Sequence, residues 1–136
     1  MYLVYQPDGS DEPKRWHYNP RRIMSAERER IEKITGRDWS DFTAAVVKGN
    51  SLCRRALLFV FLKREHPTTR FEDVDFAWSE LHLEHSRGEL LLIRAQVAEN
   101  APVDQRDAIL ASLDDDIASA QDDPASEGKA QLPVVD

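Results

Sequence analysis

Three carboxylates lie within four positions of the segment HPTTRFEDVDF, at Glu72, Asp73 and Asp75. An EF-hand calcium loop needs oxygen ligands at its first, third and fifth positions and glycine at its sixth. With Asp73 first, Asp75 takes the third position, but Ala77 and Trp78 take the fifth and sixth. The spacing therefore argues against an EF-hand calcium site. It favours Asp73 as the N-cap of a helix, with Asp75 in the first turn near the positive helix end.

Two histidines give a second candidate metal site. His82 and His85 lie close to Glu84 and Glu89 in the sequence. A helix would bring the two imidazoles onto one face, whereas a strand would put them on opposite faces. No third ligand can be identified beside them, and zinc sites need at least three protein ligands. We therefore expect no metal and no cofactor.

The single cysteine is the candidate nucleophile. Cys53 precedes Arg54 and Arg55, whose charges could lower a thiol pKa. It also falls on the inward face of the most apolar predicted helix, where a buried, unreactive thiol is the commoner outcome. Serine has no G-x-S-x-G context, and the five glycines form no phosphate-binding loop. The residues predict a protein that is not an enzyme. One cysteine cannot form an internal disulfide, which fits a reducing cytoplasm.

These residues are positioned by helices that follow a repeated pattern of cap, apolar stripe and stop. Ser25, Asp38 and Asn50 are the expected N-caps of three successive helices, and Asp73 is the expected cap of the next. Pro67 must end the third helix, because the residue before a proline avoids the α region. The pattern predicts a mainly α fold, a compact bundle of about five short helices.

The chain divides into three predicted parts. Residues 1–100 are the expected helical domain, and MYLVYQ and KRWHYN within residues 1–19 predict a small N-terminal β-hairpin. Later in this domain FAWSELHLEH predicts a short helix running into an extended segment. An acidic amphipathic helix is expected over 101–120. Residues 121–136 are polar, proline-containing and without aromatic residues, so they predict a disordered tail.

Two apolar surfaces are candidates for binding a partner. The run ALLFVFL makes the third helix apolar all round, which is typical of a central core helix. If the domain is too small to cover every side, Leu58, Phe61 and Leu62 would instead form a partner surface; the core interpretation is favoured, and both stay open. The acidic helix carries a second apolar seam, which either packs on the domain or enters a partner's groove. The seam consists of Ile109, Leu110, Leu113 and Ile117.

Charge is unevenly distributed along the chain. Residues 1–70 hold 14 Lys and Arg against 9 Asp and Glu, whereas residues 71–136 hold 4 against 16. The basic residues of the first helix alternate with glutamates, which is typical of a solvated face and argues against nucleic-acid binding. The longest apolar run is far shorter than the roughly 20 residues of a membrane span, and no export signal begins the sequence. We therefore expect no membrane association.

The stretch from Trp16 to Leu90 resembles the tail assembly chaperones of long-tailed, siphovirus-type phages of actinobacteria. The resemblance is carried by IEKITGRDWSDF, a small apolar helix, LKREHPTTRFEDVDF and the acidic SELHLE, in that order. It implies a mostly helical, non-catalytic protein that coats the tape measure protein in the host bacterial cytoplasm. It also implies that the protein helps to recruit tail tube subunits and is absent from the mature virion.

The resemblance further implies a longer second product made by a programmed −1 ribosomal frameshift, which would be another partner. Glu127-Gly128-Lys129 can be encoded GAG GGA AAA, which contains the slippery heptamer G GGA AAA. Homo-oligomerisation is left open. Two alternatives remain: a structural tail or head–tail connector component, and a small DNA-binding regulator. The regulator would rest on four basic residues of the third helix, Arg54, Arg55, Lys63 and Arg64.

Overall fold

The fold is mainly α, as predicted, with five helices and a small three-stranded antiparallel sheet. A computed structural model describes residues 1–124. The strands are β1 (Tyr2–Tyr5), β2 (Lys14–His17) and β3 (Leu81–Glu84). The helices are α1 (Ser25–Thr35), α2 (Trp39–Lys48), α3 (Ser51–Glu65), α4 (Arg87–Asn100) and α5 (Val103–Ser119). Short 3-10 turns lie at Pro20–Arg22, Phe71–Asp73 and Trp78–Glu80.

The sheet contains the predicted hairpin and one strand from far along the chain. Its order is β2-β1-β3, so the N-terminal strand is central. The short 3-10 turn at Trp78–Glu80 runs directly into β3, as the FAWSELHLEH segment predicts. Backbone hydrogen bonding continues beyond the ladder, where the Gln6 N–H donates to the Glu80 carbonyl at 2.8 Å. The third strand covers an edge of the hairpin that would otherwise be open to solvent.

The chain forms two compact units. Leu3–Leu83 make up the first, called here the core unit, and Met1–Tyr2 with residues 84–124 make up the second, called the hairpin unit. The predicted boundary at residue 100 falls between α4 and α5. The structure instead groups these two helices, because they pack against each other.

Helix α3 lies at the centre of the core unit. Every residue from Ala56 to Phe61 is buried, and α1 and α2 pack against the helix. Trp16 of β2 stacks on Phe61 with ring centroids 5.6 Å apart. The chain therefore has enough elements to cover all sides of α3, which supports the central-core interpretation of its apolar run.

Two of the four predicted N-caps occupy cap positions. The Asp38 carboxylate accepts a hydrogen bond from the Asp41 N–H at 2.9 Å, and the Asn50 side chain accepts one from the Cys53 N–H at 3.0 Å. The prediction for Ser25 is wrong. This serine is the first residue of α1, and the Glu27 carboxylate accepts the Met24 N–H in its place.

The prediction for Asp73 is also wrong. Asp73 ends a 3-10 turn, and the next residue, Val74, is extended and buried. The Asp73 carboxylate pairs with Arg70, with nitrogen–oxygen distances of 3.1 and 3.2 Å. No helix follows because burial of Val74 holds the backbone extended, and Arg55 donates hydrogen bonds to the Val74 and Phe71 carbonyls. A local cap signal was overridden by tertiary packing.

The helices of the hairpin unit are α4 and α5, joined at residues 101 and 102. A capping box begins α4: the Ser86 hydroxyl accepts the Glu89 N–H at 3.2 Å, and the Glu89 carboxylate accepts the Ser86 N–H at 2.8 Å. The sequence SRGE carries the S-x-x-E signal for this box. Among residues 1–124 no helix is both long and apolar enough to cross a bilayer.

The predicted disordered tail begins with residues that are bound to α4. The Arg87 N–H donates to the Gln121 carbonyl at 2.7 Å, and the Gly88 N–H donates to the Asp123 carboxylate at 2.9 Å. These bonds satisfy backbone donors in the first turn of α4, which have no partner inside the helix. The prediction of disorder is therefore wrong for residues 121–123, which are bound to the first turn of α4. From residue 125 onward the predicted tail, with Glu127-Gly128-Lys129, lies outside the described residues.

Candidate functional site

The candidate metal ligands do not come together. His82 lies in β3, and His85 follows the strand with its Nδ1 3.9 Å from a Glu89 carboxylate oxygen. Asp73 pairs with Arg70, and Asp75 accepts the N–H of the next residue. Within residues 1–124 no three His, Cys, Asp or Glu side chains are grouped so that they could hold a metal ion.

The candidate nucleophile is fully buried. Burial raises the pKa of the Cys53 thiol, against a smaller opposite effect of the Arg37 charge. The Arg54 guanidinium donates to the Val46 carbonyl at 2.9 Å, and Arg55 donates to carbonyls of the loop after α3. The neighbouring charges are therefore engaged with backbone, and the thiol has the environment of a core residue.

The predicted partner surface on α3 is mostly core. Leu58 is 0% exposed and Phe61 is 2% exposed, so the partner-surface interpretation is wrong for both. Leu62 is half-buried. The stacking of Trp16 on Phe61 shows the cause, since a strand distant in sequence covers this side of the helix.

The predicted apolar seam of α5 belongs to a helix that packs against α4 of the same chain. Ile109, Leu110, Leu113 and Ile117 are half-buried along the helix that packs against α4. Two side chains fix the packing: Arg94 forms a bidentate pair with Asp114 at 2.6 and 3.3 Å, and Arg87 donates to the Ile117 carbonyl at 3.1 Å. The Arg94 guanidinium holds the pKa of the Asp114 carboxyl below its usual value. Of the two predicted roles for this helix, packing within the chain is the one observed.

Helix α4 presents apolar residues on two faces. Its inner face carries Leu90, Ile93 and Val97, which are buried or half-buried. Its outer face consists of Leu91, Leu92, Ala95 and Ala98, all exposed, and is called here the outer face of α4. Leu91 is 50% exposed and Leu92 is 70% exposed. A helix that is apolar on two sides normally lies between two packing partners, and α5 supplies one of them.

The same two helices carry exposed carboxylates. Five exposed acids of the two helices make no ion pair within the described part of the chain and are called here the unpaired acids. They are Glu99, Asp104, Asp107, Asp115 and Asp116. All three arginines of the two helices are engaged inside the unit: Arg87 with Asp122, Arg94 with Asp114, and Arg106 with the Ala101 carbonyl. The exposed carboxylates of the two helices are therefore not neutralised within the unit.

The core unit has a second exposed apolar site, at Trp78. The indole is 63% exposed and lies over Gly49, with the Arg54 guanidinium 5.5 Å from the ring centroid. Beside it is a groove of about 310 Å³ lined by Ser51, Leu52, Arg55, Asp75, Phe76 and Trp78. No local signal in the sequence identified Trp78, because its position depends on the path of the loop after α3.

The four basic residues that support the DNA-binding alternative are engaged within the core unit. Arg54 is buried, and Arg55 binds the loop after α3. The Lys63 ammonium donates to the Pro67 carbonyl at 2.8 Å, and Arg64 forms a bidentate pair with Glu27 at 2.7 and 2.8 Å. None of these groups is placed as an unengaged cation for a phosphate backbone, so the alternative loses the residues on which it rested.

Comparison with protein-family models, with curated proteins and with solved structures finds no match to this chain. Its function is therefore inferred from its own surfaces and from the resemblance of its sequence.

Proposed function

We propose that this protein is a phage tail assembly chaperone that acts by reversible contact and carries out no catalysis. It binds the tape measure protein in the host bacterial cytoplasm, helps to recruit tail tube subunits, and leaves the finished tail. The observation that supports this proposal is the exposed outer face of α4, because an uncovered apolar helix face is a surface for a partner.

The properties of this face suit a transient complex. Two large apolar side chains, Leu91 and Leu92, lie among alanines, so the apolar area available for binding is small. The unpaired acids of the two helices keep the free protein soluble. A long helical protein such as a tape measure protein offers many helical segments, and helices are recognised through exposed apolar faces of this kind.

The proposed contact residues lie on α4, and they differ from those predicted from the sequence on α3 and α5. Leu58 and Phe61 are structural, and the α5 seam supports α4 instead of meeting a partner directly. The longer frameshifted form remains part of the proposal as a further partner. A slippery heptamer at the codons for 127–129, followed by an overlapping downstream frame, is the expected gene arrangement.

Co-expression with the product of a very long, helical open reading frame downstream of the gene tests the proposal. The wild-type chain should co-purify with that product. The double variant Leu91→Ser, Leu92→Ser should lose about tenfold or more of the recovered complex, since each leucine loses most of its apolar contact. The matched control is Met24→Ser, Val47→Ser, which removes two apolar side chains of comparable exposure from the core unit.

Circular dichroism and urea denaturation establish that both double variants remain folded. Failure of the wild-type chain to co-purify with the long helical product contradicts the proposal. Recovery of the chain from mature virions in stoichiometric amounts also contradicts it and favours a structural tail component.

A further inference from the structure

We infer that the outer face of α4 binds an amphipathic helix whose polar side carries lysine and arginine. The inference rests on the proposed function in one respect, that the protein acts by contact. It adds the binding face and the chemistry of the partner segment, and it does not depend on which protein supplies that segment.

The shape of the outer face of α4 suits a helix. Leu91, Ala95 and Ala98 are four and three residues apart, so they form one stripe along α4. Two of the three positions are alanine, which lets a second helix approach toward the short end of the roughly 8–10 Å range of interaxial distances. Leu91 and Leu92 then project beside the incoming helix. The face therefore fits a helix better than an extended strand, because helical residues offer no free backbone hydrogen bonds to pair with a strand.

Two unpaired carboxylates, Glu99 and Asp107, lie beside this stripe by helical geometry. Arg94 lies one turn from Leu91, and it reaches across to Asp114 of α5. Asp107 lies seven residues before Asp114, which is two turns of helix, so both aspartates are on the same side of α5. Glu99 lies on α4 itself, one turn beyond Ala95. A helix bound on the outer face would therefore run beside Glu99 and Asp107.

The charge of the partner follows from these carboxylates. The unpaired acids have no cation within the described residues, and the arginines of the hairpin unit already have partners. A basic helix would supply the missing counter-charges, while an acidic one would be repelled. A second copy of the same face is disfavoured for this reason, because it would bring carboxylates against carboxylates.

Fluorescence anisotropy with the full-length chain tests the inference. The probe is a labelled amphipathic peptide of about 18 residues, long enough for five helical turns, with leucine on one side and lysine on the other. A second peptide has the same leucines and glutamate in place of lysine. The lysine peptide should bind about tenfold more tightly or better, and its affinity should fall steeply between about 50 and 500 mM salt.

Two pairs of variants separate the apolar and the electrostatic contributions. Leu91→Ser, Leu92→Ser should weaken binding of the lysine peptide about tenfold, and the control Met24→Ser, Val47→Ser should leave it unchanged. Glu99→Gln, Asp107→Asn should weaken binding several-fold and reduce the salt dependence. The control Glu12→Gln, Glu29→Gln removes two exposed charges from the core unit and should change neither.

Equal affinity for the lysine and glutamate peptides overturns the charge assignment. Equal losses of affinity for the lysine peptide in the leucine variant and in its control overturn the assignment of the binding face. Sedimentation showing a dimer that the leucine variant dissociates assigns the face to a second copy and also overturns the inference. Peptide binding as expected, together with failure of the long helical product to co-purify, rejects the chaperone function and leaves the inference standing.

Discussion

Helices α3 and α4 share a sequence property but differ in how the fold covers them. Both carry contiguous apolar residues, Ala56–Leu62 in α3 and Leu90–Ile93 in α4. In α3 the off-stripe side chains Leu58 and Phe61 are buried, with Phe61 beneath Trp16. In α4 the corresponding side chains are the most exposed leucines of the described chain, Leu91 and Leu92. An apolar run thus shows that a helix needs more than one packing partner, but not whether the same chain provides them.

The difference follows from the number of elements available in each unit. Helix α3 has α1, α2 and the sheet residue Trp16 around it within the core unit. Helix α4 has α5 as its only helical neighbour within the described hairpin unit, and α5 has no fully buried side chain. Two helices side by side cannot enclose a core, so one face of each remains open to solvent or to a partner. Stability should therefore be concentrated around α3, and binding around α4.

The largest expected effect on the free energy of unfolding is at Phe61. Phe61→Ala should lower the free energy of unfolding by about 3–5 kcal/mol, because it removes a buried ring and its stack with Trp16 and leaves a cavity. Leu92→Ala on α4 should change it by less than about 0.5 kcal/mol, as expected for an exposed position. Urea denaturation followed by tryptophan fluorescence measures both. Similar losses for the two variants would show that α4 is as well covered as α3.

The comparison shows which parts of the fold could be predicted from the sequence. Helix α2 was predictable from local signals, since Asp38 caps it and Gly49 ends it with φ +93°. Asp73 carries a cap signal of the same kind, but Val74 is buried and the helix does not form. Local rules succeed where packing agrees with them and fail where a non-local contact decides the backbone.

A smaller effect on stability is expected at Gly49, which lies against the indole of Trp78. A Cβ at Gly49 would lie 2.9 Å from Trp78 Cη2, whereas a Cβ at Gly36 would meet no atom within 4 Å. Both glycines have positive φ, so alanine costs about 1–2 kcal/mol of backbone strain at either. Gly49→Ala should cost about 1 kcal/mol more than Gly36→Ala, because the indole must shift.

The variant Trp78→Ala provides the control for that comparison. In its background the two glycine substitutions should destabilise the protein equally, as measured by urea denaturation. A difference that persists without the indole would mean that Trp78 does not rest on Gly49. The site at Trp78 would then lose the contact that holds the exposed ring in place.

The candidate site was less predictable than the fold. The inner stripe of α4 follows from the spacing of Leu90, Ile93 and Val97, and the structure places all three inward. The exposure of Leu91 and Leu92 could not be derived, because the same contiguous pattern in α3 is buried. The α5 seam had two predicted roles, and only the packing of α4 on α5 distinguishes them. What covers a face is decided by topology, and periodicity carries no information about it.

A still smaller effect is expected at Leu113, in the half-buried seam of α5. Leu113→Ala should destabilise the hairpin unit by about 1 kcal/mol, less than a fully buried leucine would, since part of the side chain is already in contact with water. Native-state hydrogen exchange should show faster exchange in α4 and α5 and unchanged exchange in α3. Equally accelerated exchange in α3 would show that the two units open together, and would remove the distinction drawn between them.

The smallest effect concerns an ion pair that fastens α1 to α3. Glu27 accepts two hydrogen bonds from Arg64 and one from the Met24 N–H. The Arg64 guanidinium lowers the pKa of the Glu27 carboxyl from its ordinary value of 4.5, despite partial burial. A carboxyl whose pKa is lower in the folded state stabilises that state at pH values above the unfolded pKa. The contribution is lost as the pH falls through the folded pKa.

Glu27→Gln should therefore cost about 0.5–1 kcal/mol at pH 7, since Arg64 is partly exposed and water weakens the pair. The difference from wild type should shrink as the pH falls below 4.5 and vanish once Glu27 is protonated in the folded protein. Urea denaturation across this range measures it. The control is Glu29→Gln, which removes the same charge from an exposed position on α1. A pH dependence equal in both variants would assign the effect to net charge, and would show that α1 is held to α3 by apolar packing alone.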